Sequence, residues 1–234
     1  MSIKNFLVGT VAGALVLVVS VFPVFASSPF KSDLSNNNWR VFNINTTEPK
    51  LWDINKAPSL EDGGVGFTFN QLDTGWFSVY LKTNYGDLTG KTIEADTSWT
   101  ASDKYISRSL TTSDAYFRLE FQSAQGNYDS NDYWWSTVSC NLNTNSECTL
   151  TASLMDRELW TNQSGKSATD TTEDWVQWQG DIVHMSPYDG FTYAMENVKE
   201  VGLSFGRAGS YASGVAIDGT VPASFQLNSF TVTQ

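Results

Sequence analysis

Tryptophans in polar surroundings are the residues of this sequence best suited to ligand chemistry. Trp134 and Trp135 are adjacent, and Trp175 and Trp178 stand among acidic and amide residues. Adjacent strand residues point to opposite faces, so parity with Cys140 predicts Trp134 inward and Trp135 outward. An indole ring stacks on the apolar face of a sugar, while amides and carboxylates hydrogen-bond its hydroxyls. We therefore expect Trp135, Trp175 and Trp178 to bind a carbohydrate, with core or edge packing as the alternative for each.

Tyr188 is the fourth candidate ligand-binding residue, and it follows the only histidine, His184. A tyrosine or histidine base is one route to polysaccharide lysis. A serine–histidine–aspartate triad is not indicated, because the chain has no Gly-x-Ser-x-Gly elbow. Most lone histidines have no chemical role, so the sequence predicts no catalytic residue here.

Paired carboxylates are the second kind of candidate. Glu94 and Asp96 share one strand face, and Glu120 shares the polar face of another strand with Arg118. Retaining glycosidases need two carboxyl groups about 5–5.5 Å apart, a spacing that residues two apart on a strand approach. Ordinary solvated strands carry the same residues, so cleavage of a polysaccharide remains an alternative rather than the prediction.

Composition and charge exclude several classes of protein. The chain has 234 residues, with 25 Asp and Glu against 14 Lys and Arg, for a net charge of −11. Nucleic-acid binding needs a basic surface and is therefore excluded. One histidine and two cysteines provide too few ligands for a zinc cluster, an iron–sulfur site or a haem.

The N-terminal segment predicts export. Lys4 precedes an almost wholly apolar run that ends at Val24-Phe25-Ala26, the pattern of a signal peptide over residues 1–26. A transmembrane anchor is the alternative. After cleavage, residues 27–234 are expected to form a single β-sandwich domain, secreted and not attached to a membrane.

The two cysteines are expected to form a disulfide. Cys140 and Cys148 enclose a polar turn between two strand-like runs, so a bridge would close a hairpin loop in an oxidising compartment. Free buried thiols or a metal pair are the alternatives.

Apolar residues recur with a period of two along the predicted domain. Short half-apolar runs bounded by Gly, Asn, Asp or Ser predict an all-β fold, an antiparallel β-sandwich of the jelly-roll type. One short helix is predicted near residues 187–198, and a bulge near Asn228-Ser229. Residues 163–172 are predicted to form a long loop that continues through Trp175 and Trp178.

Two stretches resemble a known family. Asn197 to Arg207 and then Ala223 to Val232 resemble the closing strands of carbohydrate-binding-module β-sandwiches with the galactose-binding-like jelly-roll fold. The resemblance spans roughly residues 64–234, includes secreted bacterial proteins that are mostly uncharacterised, and implies a carbohydrate ligand. Many such modules hold a structural calcium ion with an acidic pair, where this chain has Asn228 and Ser229. No cofactor is therefore predicted, and a structural calcium ion is the open alternative.

Three functional hypotheses follow. The favoured one is a secreted, non-catalytic β-sandwich that binds a polysaccharide or other glycan through exposed aromatic residues. A secreted structural or cell-surface domain with an extracellular protein partner comes second. A polysaccharide hydrolase or lyase comes third.

Overall fold

The computed structural model describes residues 39–42, 65–69, 80–101, 104–107, 114–123, 131–178, 181–207, 214–219 and 223–234. The predicted signal peptide, residues 1–26, lies outside these residues.

Strands dominate the described part of the chain. Their bounds are β1 Arg40–Phe42, β2 Val65–Phe69, β3 Tyr80–Asn84, β4 Thr92–Trp99, β5 Tyr105–Ser107, β6 Tyr116–Ser123, β7 Tyr133–Ser136, β8 Cys140–Asn141, β9 Glu147–Ser153, β10 Trp160–Asn162, β11 Asp174–Trp178, β12 Asp181–Met185, β13 Val198–Gly206, β14 Val215–Ile217 and β15 Ala223–Thr233. One α-helix, α1, spans Pro187–Glu196, and a 3-10 turn spans Arg157–Leu159. No helix in the described ranges is long and apolar enough to cross a membrane.

Two antiparallel sheets form the body of the molecule. The large sheet has the order β1-β3-β13-β6-β7-β10, with β8 paired to β6 as its seventh strand. The small sheet has the order β2-β15-β4-β9. Two further pairs, β11 with β12 and β14 with β5, complete the pairings of the described strands. The predicted all-β, antiparallel sandwich is confirmed.

Aromatic rings from both sheets meet in one core. Phe117 and Phe205 of the large sheet lie 5.1 and 5.0 Å from Phe225 of the small sheet, each in an edge-to-face arrangement. Trp99 of the small sheet meets Phe117 in the same way at 5.3 Å. All these residues are buried because alternate positions of each strand face the opposite sheet.

The predicted bulge and helix are both confirmed. The register of β15 against β4 shifts between Leu227 and Ser229, which lets Leu227 and Phe230 both face the core. In α1, Ser186 caps the first turn, since its Oγ accepts a hydrogen bond from the Asp189 backbone N–H at 3.1 Å. Phe191 of the helix packs edge-on against Trp134 at 4.9 Å, which fixes the helix against the large sheet.

The predicted disulfide between Cys140 and Cys148 is also present, with the two Cα atoms 6.3 Å apart. The expected setting, a hairpin loop, is wrong. Cys140 lies in β8, which pairs with β6 of the large sheet, whereas Cys148 lies in β9, which pairs with β4 of the small sheet. The bridge therefore joins the two sheets at one end of the sandwich.

Candidate functional site

The side of the large sheet turned away from the core is rich in charged, amide and aromatic residues. Strand alternation places them there, because Phe117, Leu119 and Phe121 of β6 face the core and the residues between them must face outward. We call this surface the polar face; its members are Arg118, Glu120, Gln122, Tyr133, Trp135, Glu200, Gly202 and Ser204.

Strand register brings these residues into rows. Glu120 of β6 stands opposite Gly202 of β13 on one side and Trp135 of β7 on the other. In the next row, Gln122 lies between Glu200 and Tyr133. Side chains directly opposite each other in such rows are within contact distance, so the polar face is one continuous surface.

The charged residues of the polar face are buried. Arg118 is 7% exposed, Glu120 1% and Glu200 8%. Removing a charge from water is costly, and hydrophobic residues of similar size often stabilise a fold as well or better. Three buried charges on the side away from the core are therefore unexpected if the surface serves stability alone.

Arg118 contributes a cation with directional donors. Its Nη2 donates a hydrogen bond to the backbone carbonyl of Arg207 at 3.3 Å. Burial lowers the pKa of the guanidinium, while nearby Asp114 and Tyr116 act in the opposite direction. A guanidinium has five N–H donors and an ordinary pKa far above neutrality, so Arg118 can hold a ligand oxygen while it remains charged.

Gln122 and Tyr133 add neutral hydrogen-bonding groups. Gln122 Nε2 donates to the Tyr133 Oη at 2.7 Å, across adjacent strands. The bond fixes the orientation of both groups relative to the sheet. Such fixed donors and acceptors suit a ligand with several hydroxyl groups.

Gly202 leaves one position of the polar face without a side chain. It stands in the middle of β13 opposite Glu120, and the next outward residue along the strand is the small Ser204. A glycine inside a strand often marks a site where a ligand approaches the backbone. Glu120 and Glu200 flank this position as diagonal neighbours, whose Cα atoms in such a pair are about 7–8 Å apart.

Trp135 lies on the polar face, opposite in direction to the core residue Trp134, as parity predicts. Its expected exposure is wrong, because only 4% of it is accessible. Glu120 and Thr161 flank it on the neighbouring strands. Its role in ligand binding stays a prediction.

Trp175 and Trp178 lie in β11, which pairs with β12 as a hairpin, so the predicted loop through these residues is wrong. Trp175 is 67% exposed, and its ring centroid lies 3.8 Å from that of His184. Trp178 pairs with Asp181 through the backbone, and its side chain lies outside the described part of the structure.

Tyr188 lies in the first turn of α1 and is 41% exposed. The Arg157 guanidinium covers its ring at 3.8 Å from the centroid, and Arg157 Nη1 donates to the Tyr188 carbonyl at 2.9 Å. These contacts dock the helix on the 3-10 turn. The predicted ligand-binding residues thus fall in different elements, namely β7, the hairpin and α1.

The carboxylates considered from the sequence are separated by the fold. Glu94 and Asp96 lie on the outward side of the small sheet, where Thr151 and Thr149 donate hydroxyl hydrogen bonds to them. Asp96 also accepts a bond from Ser229 Oγ at 3.1 Å. Glu120 lies on the other sheet, so the three acids cannot form one site.

The sequence reasoning missed Glu200, Gln122 and Tyr133. Their signal was present in the alternation itself, because β6 and β13 carry large polar residues between successive core positions. The pairing of β6 with β13 and β7 was needed to show that these residues are neighbours.

No group of three or more histidine, cysteine, aspartate or glutamate residues is arranged to hold a metal ion within the described ranges.

Comparisons with known proteins give little guidance. No family model matches the chain, and no curated protein matches it. Among solved structures, an endo-acting O-glycanase that members of the human gut microbiota express to initiate mucin breakdown aligns at a TM-score of 0.42 and 8% identity, over 85% of this chain and 92% of that chain. Alginate lyase A1-II′, a member of polysaccharide lyase family 7, aligns at a TM-score of 0.33 and 13% identity, over 88% of this chain and 98% of the lyase. A variant of that lyase aligns at a TM-score of 0.28 and 13% identity, over 89% and 99% of the two chains. These are similarities to glycan-active proteins, and at such scores they carry no argument about the site or the activity.

Proposed function

We propose that this protein binds a carbohydrate on the polar face of the large sheet. The observation that carries the proposal is the joint burial of Arg118, Glu120, Glu200 and Trp135 on the side of the sheet away from the core. Buried charge costs stability, so charged residues that are kept despite this cost are candidates for a functional role.

A polyhydroxylated ligand fits this set of groups. Trp135, Glu120 and Glu200 are at most 8% exposed, so a ligand reaches them only when the protein atoms that cover this face move aside. The Trp135 ring would then offer an apolar surface, and the two carboxylates would accept hydrogen bonds from hydroxyls. Arg118 can donate hydrogen bonds to the ring or hydroxyl oxygens of a sugar. Gln122 and Tyr133, which are hydrogen-bonded to each other, are residue types that can both donate and accept. Sugars require this mixture of stacking and dense, directional hydrogen bonding.

The ligand is proposed to be extracellular. The segment 1–26 predicts export, and the Cys140–Cys148 bridge is the kind of bond that persists in an oxidising compartment.

Affinity electrophoresis tests the proposal. The purified protein is run through native gels cast with single soluble polysaccharides, with and without Ca²⁺. We expect retardation by at least one polymer, lost in Glu120→Gln and retained in Glu94→Gln, the matched change on the small sheet. Equal mobility in every gel would contradict the proposal.

Cleavage of the bound polysaccharide is a second candidate function, favoured by the placement of Glu120 and Glu200. They are diagonal neighbours on β6 and β13 and are both buried, and glycosidases use two carboxyl groups facing one bond. New reducing ends released from the retarding polymer, and abolished by Glu200→Gln, would support hydrolysis. An unsaturated product would indicate lysis instead, and retardation without any product would leave the protein a binder.

A further inference from the structure

The β11–β12 hairpin has two different faces. Val176 and Val183 are half-buried and Met185 is buried on one face, so that side rests on the body of the protein. The other face carries Trp175 and Ile182, which are 67% and 73% exposed. The hairpin belongs to neither the large nor the small sheet.

Trp175 is held at its backbone and at its ring. Its backbone N–H donates to Asp174 Oδ1 at 2.8 Å. Its ring meets the His184 ring at 3.8 Å between centroids, with 64° between the planes. His184 Nδ1 in turn lies 3.5 Å from Glu173 Oε2, which holds the imidazole in place.

A restrained and exposed aromatic ring is suited to stacking. A ring that already has its bound orientation loses little conformational freedom when a ligand arrives, so more of the contact energy is available for binding. His184 is therefore a positioning residue for Trp175.

The charged residues near Trp175 indicate which class of ligand could stack on its ring. The charged groups next to the indole in sequence are Glu173 and Asp174, and Asp181 lies at the turn of the hairpin. Lys166 Nζ lies 3.5 Å from Asp174 Oδ2 and offsets one of these charges. The register puts Asp174 and Asp181 on the face opposite Trp175, and of these three acids Glu173 is the one linked to the indole, through His184. Its carboxylate repels polyanions and anionic membranes but accepts hydrogen bonds from neutral hydroxyls.

We propose that the hairpin is a second carbohydrate contact, at which one uncharged sugar ring stacks on Trp175. This inference shares the class of ligand with the proposed function but uses different residues. Its role is to add a second point of attachment for a long chain, which strengthens binding to a polymer more than to a short fragment.

The test compares the wild type with five variants of the full protein in native gels cast with xylan, glucomannan, hydroxyethyl cellulose or alginate. We expect Trp175→Ala to weaken retardation by a neutral polymer about fivefold in apparent Kd, the size of one aromatic contact. Ile182→Ser is the matched control on the same face and should bind like the wild type. His184→Ala should behave like Trp175→Ala, and His184→Phe should restore binding because a ring again supports the indole.

The outcomes separate this inference from the proposed function. Binding by Trp175→Ala equal to wild type on every neutral polymer overturns the inference, while loss of binding in Glu120→Gln still supports the polar face. Weakened binding in Trp175→Ala with wild-type binding in Glu120→Gln supports the hairpin and overturns the proposed site. Weakening confined to alginate, or a concentration-dependent dimer in sedimentation that Trp175→Ala abolishes, overturns the sugar contact. Absence of retardation by any polymer overturns both.

Discussion

On the outward sides of both sheets, polar residues alternate with core residues. They are largely exposed on the small sheet and buried on the large sheet. On the small sheet, Glu94, Thr149 and Thr151 are exposed, and short hydroxyl side chains donate to the carboxylates. We call this the solvent face. On the large sheet, the polar face buries Glu120 and Arg118 to 1% and 7% exposure.

This difference in exposure distinguishes two explanations for a charged residue on a strand, namely solubility and ligand binding. A solvated carboxylate bonded to a threonine hydroxyl needs no explanation beyond solubility, and such contacts contribute little to stability. A buried arginine and two buried glutamates carry a desolvation penalty that a ligand-binding role can explain. Substitutions at matched positions of the two faces can test this contrast.

The largest effect is expected at Trp135. Trp135→Ala removes a buried aromatic side chain and should lower the free energy of unfolding by about 3–5 kcal/mol, measured by urea denaturation. Thr151→Ala on the solvent face should change it by less than about 0.5 kcal/mol. Trp135→Phe keeps the fold and should still weaken polysaccharide binding, so wild-type binding by this variant would remove Trp135 from the site.

A second pair of variants separates binding from stability. Glu120→Gln keeps the volume of the side chain and removes a buried charge, so the free energy of unfolding should be unchanged or higher. Binding should weaken by about 10- to 100-fold, the range of one charged hydrogen bond of about 1.5–3 kcal/mol. Glu94→Gln should alter neither quantity. Strong destabilisation by Glu120→Gln with unchanged binding would make Glu120 a structural residue.

Substitution of Arg118 or Arg157 by lysine is expected to have a smaller effect on binding or stability. Arg118→Lys replaces a planar fork of donors with a point charge and should weaken binding about tenfold in isothermal titration. Arg157→Lys removes the stacking on Tyr188 and should cost at most about 1 kcal/mol of stability without any change in binding. The reverse outcome, with Arg157 affecting affinity, would place the site near α1 instead.

The smallest effect is expected on the solvent face itself. Thr149→Val removes the hydroxyl that donates to Asp96 and keeps a β-branched side chain suited to a strand. The free energy of unfolding should fall by less than about 1 kcal/mol, and affinity should not change. A change in polysaccharide mobility would show that the solvent face also takes part in binding.

Much of the fold could be read from local patterns. The period-two alternation in β6 and β13 predicted the strands and the direction of their core residues, because side-chain direction depends on neighbouring residues alone. The expectation of a single buried face is wrong for these two strands, since both of their sides are almost wholly buried. The same is true of the short helix predicted near residues 187–198 and the parity change that indicates the bulge before Ser229. The pairing of Cys140 with Cys148 was also predicted from their short separation in a chain that is expected to be exported.

The candidate site depended on distant pairings. Which strand lies beside β6 determines that Glu120 meets Gly202 and Trp135, and no local pattern encodes that neighbour. The sheets to which β8 and β9 belong decide that the disulfide joins two layers. Likewise, pairing of β11 with β12 turned an expected loop into a hairpin with a restrained indole.

By itself, the sequence determined the class of fold, the outward direction of Trp135 and the disulfide pair, since each follows from chemistry within a few residues along the chain. Only the tertiary structure decided that Trp135, Arg118 and Glu120 are buried while Glu94 and Trp175 are exposed. Exposure is a property of what lies across a sheet or against it, and those contacts join residues far apart in the chain.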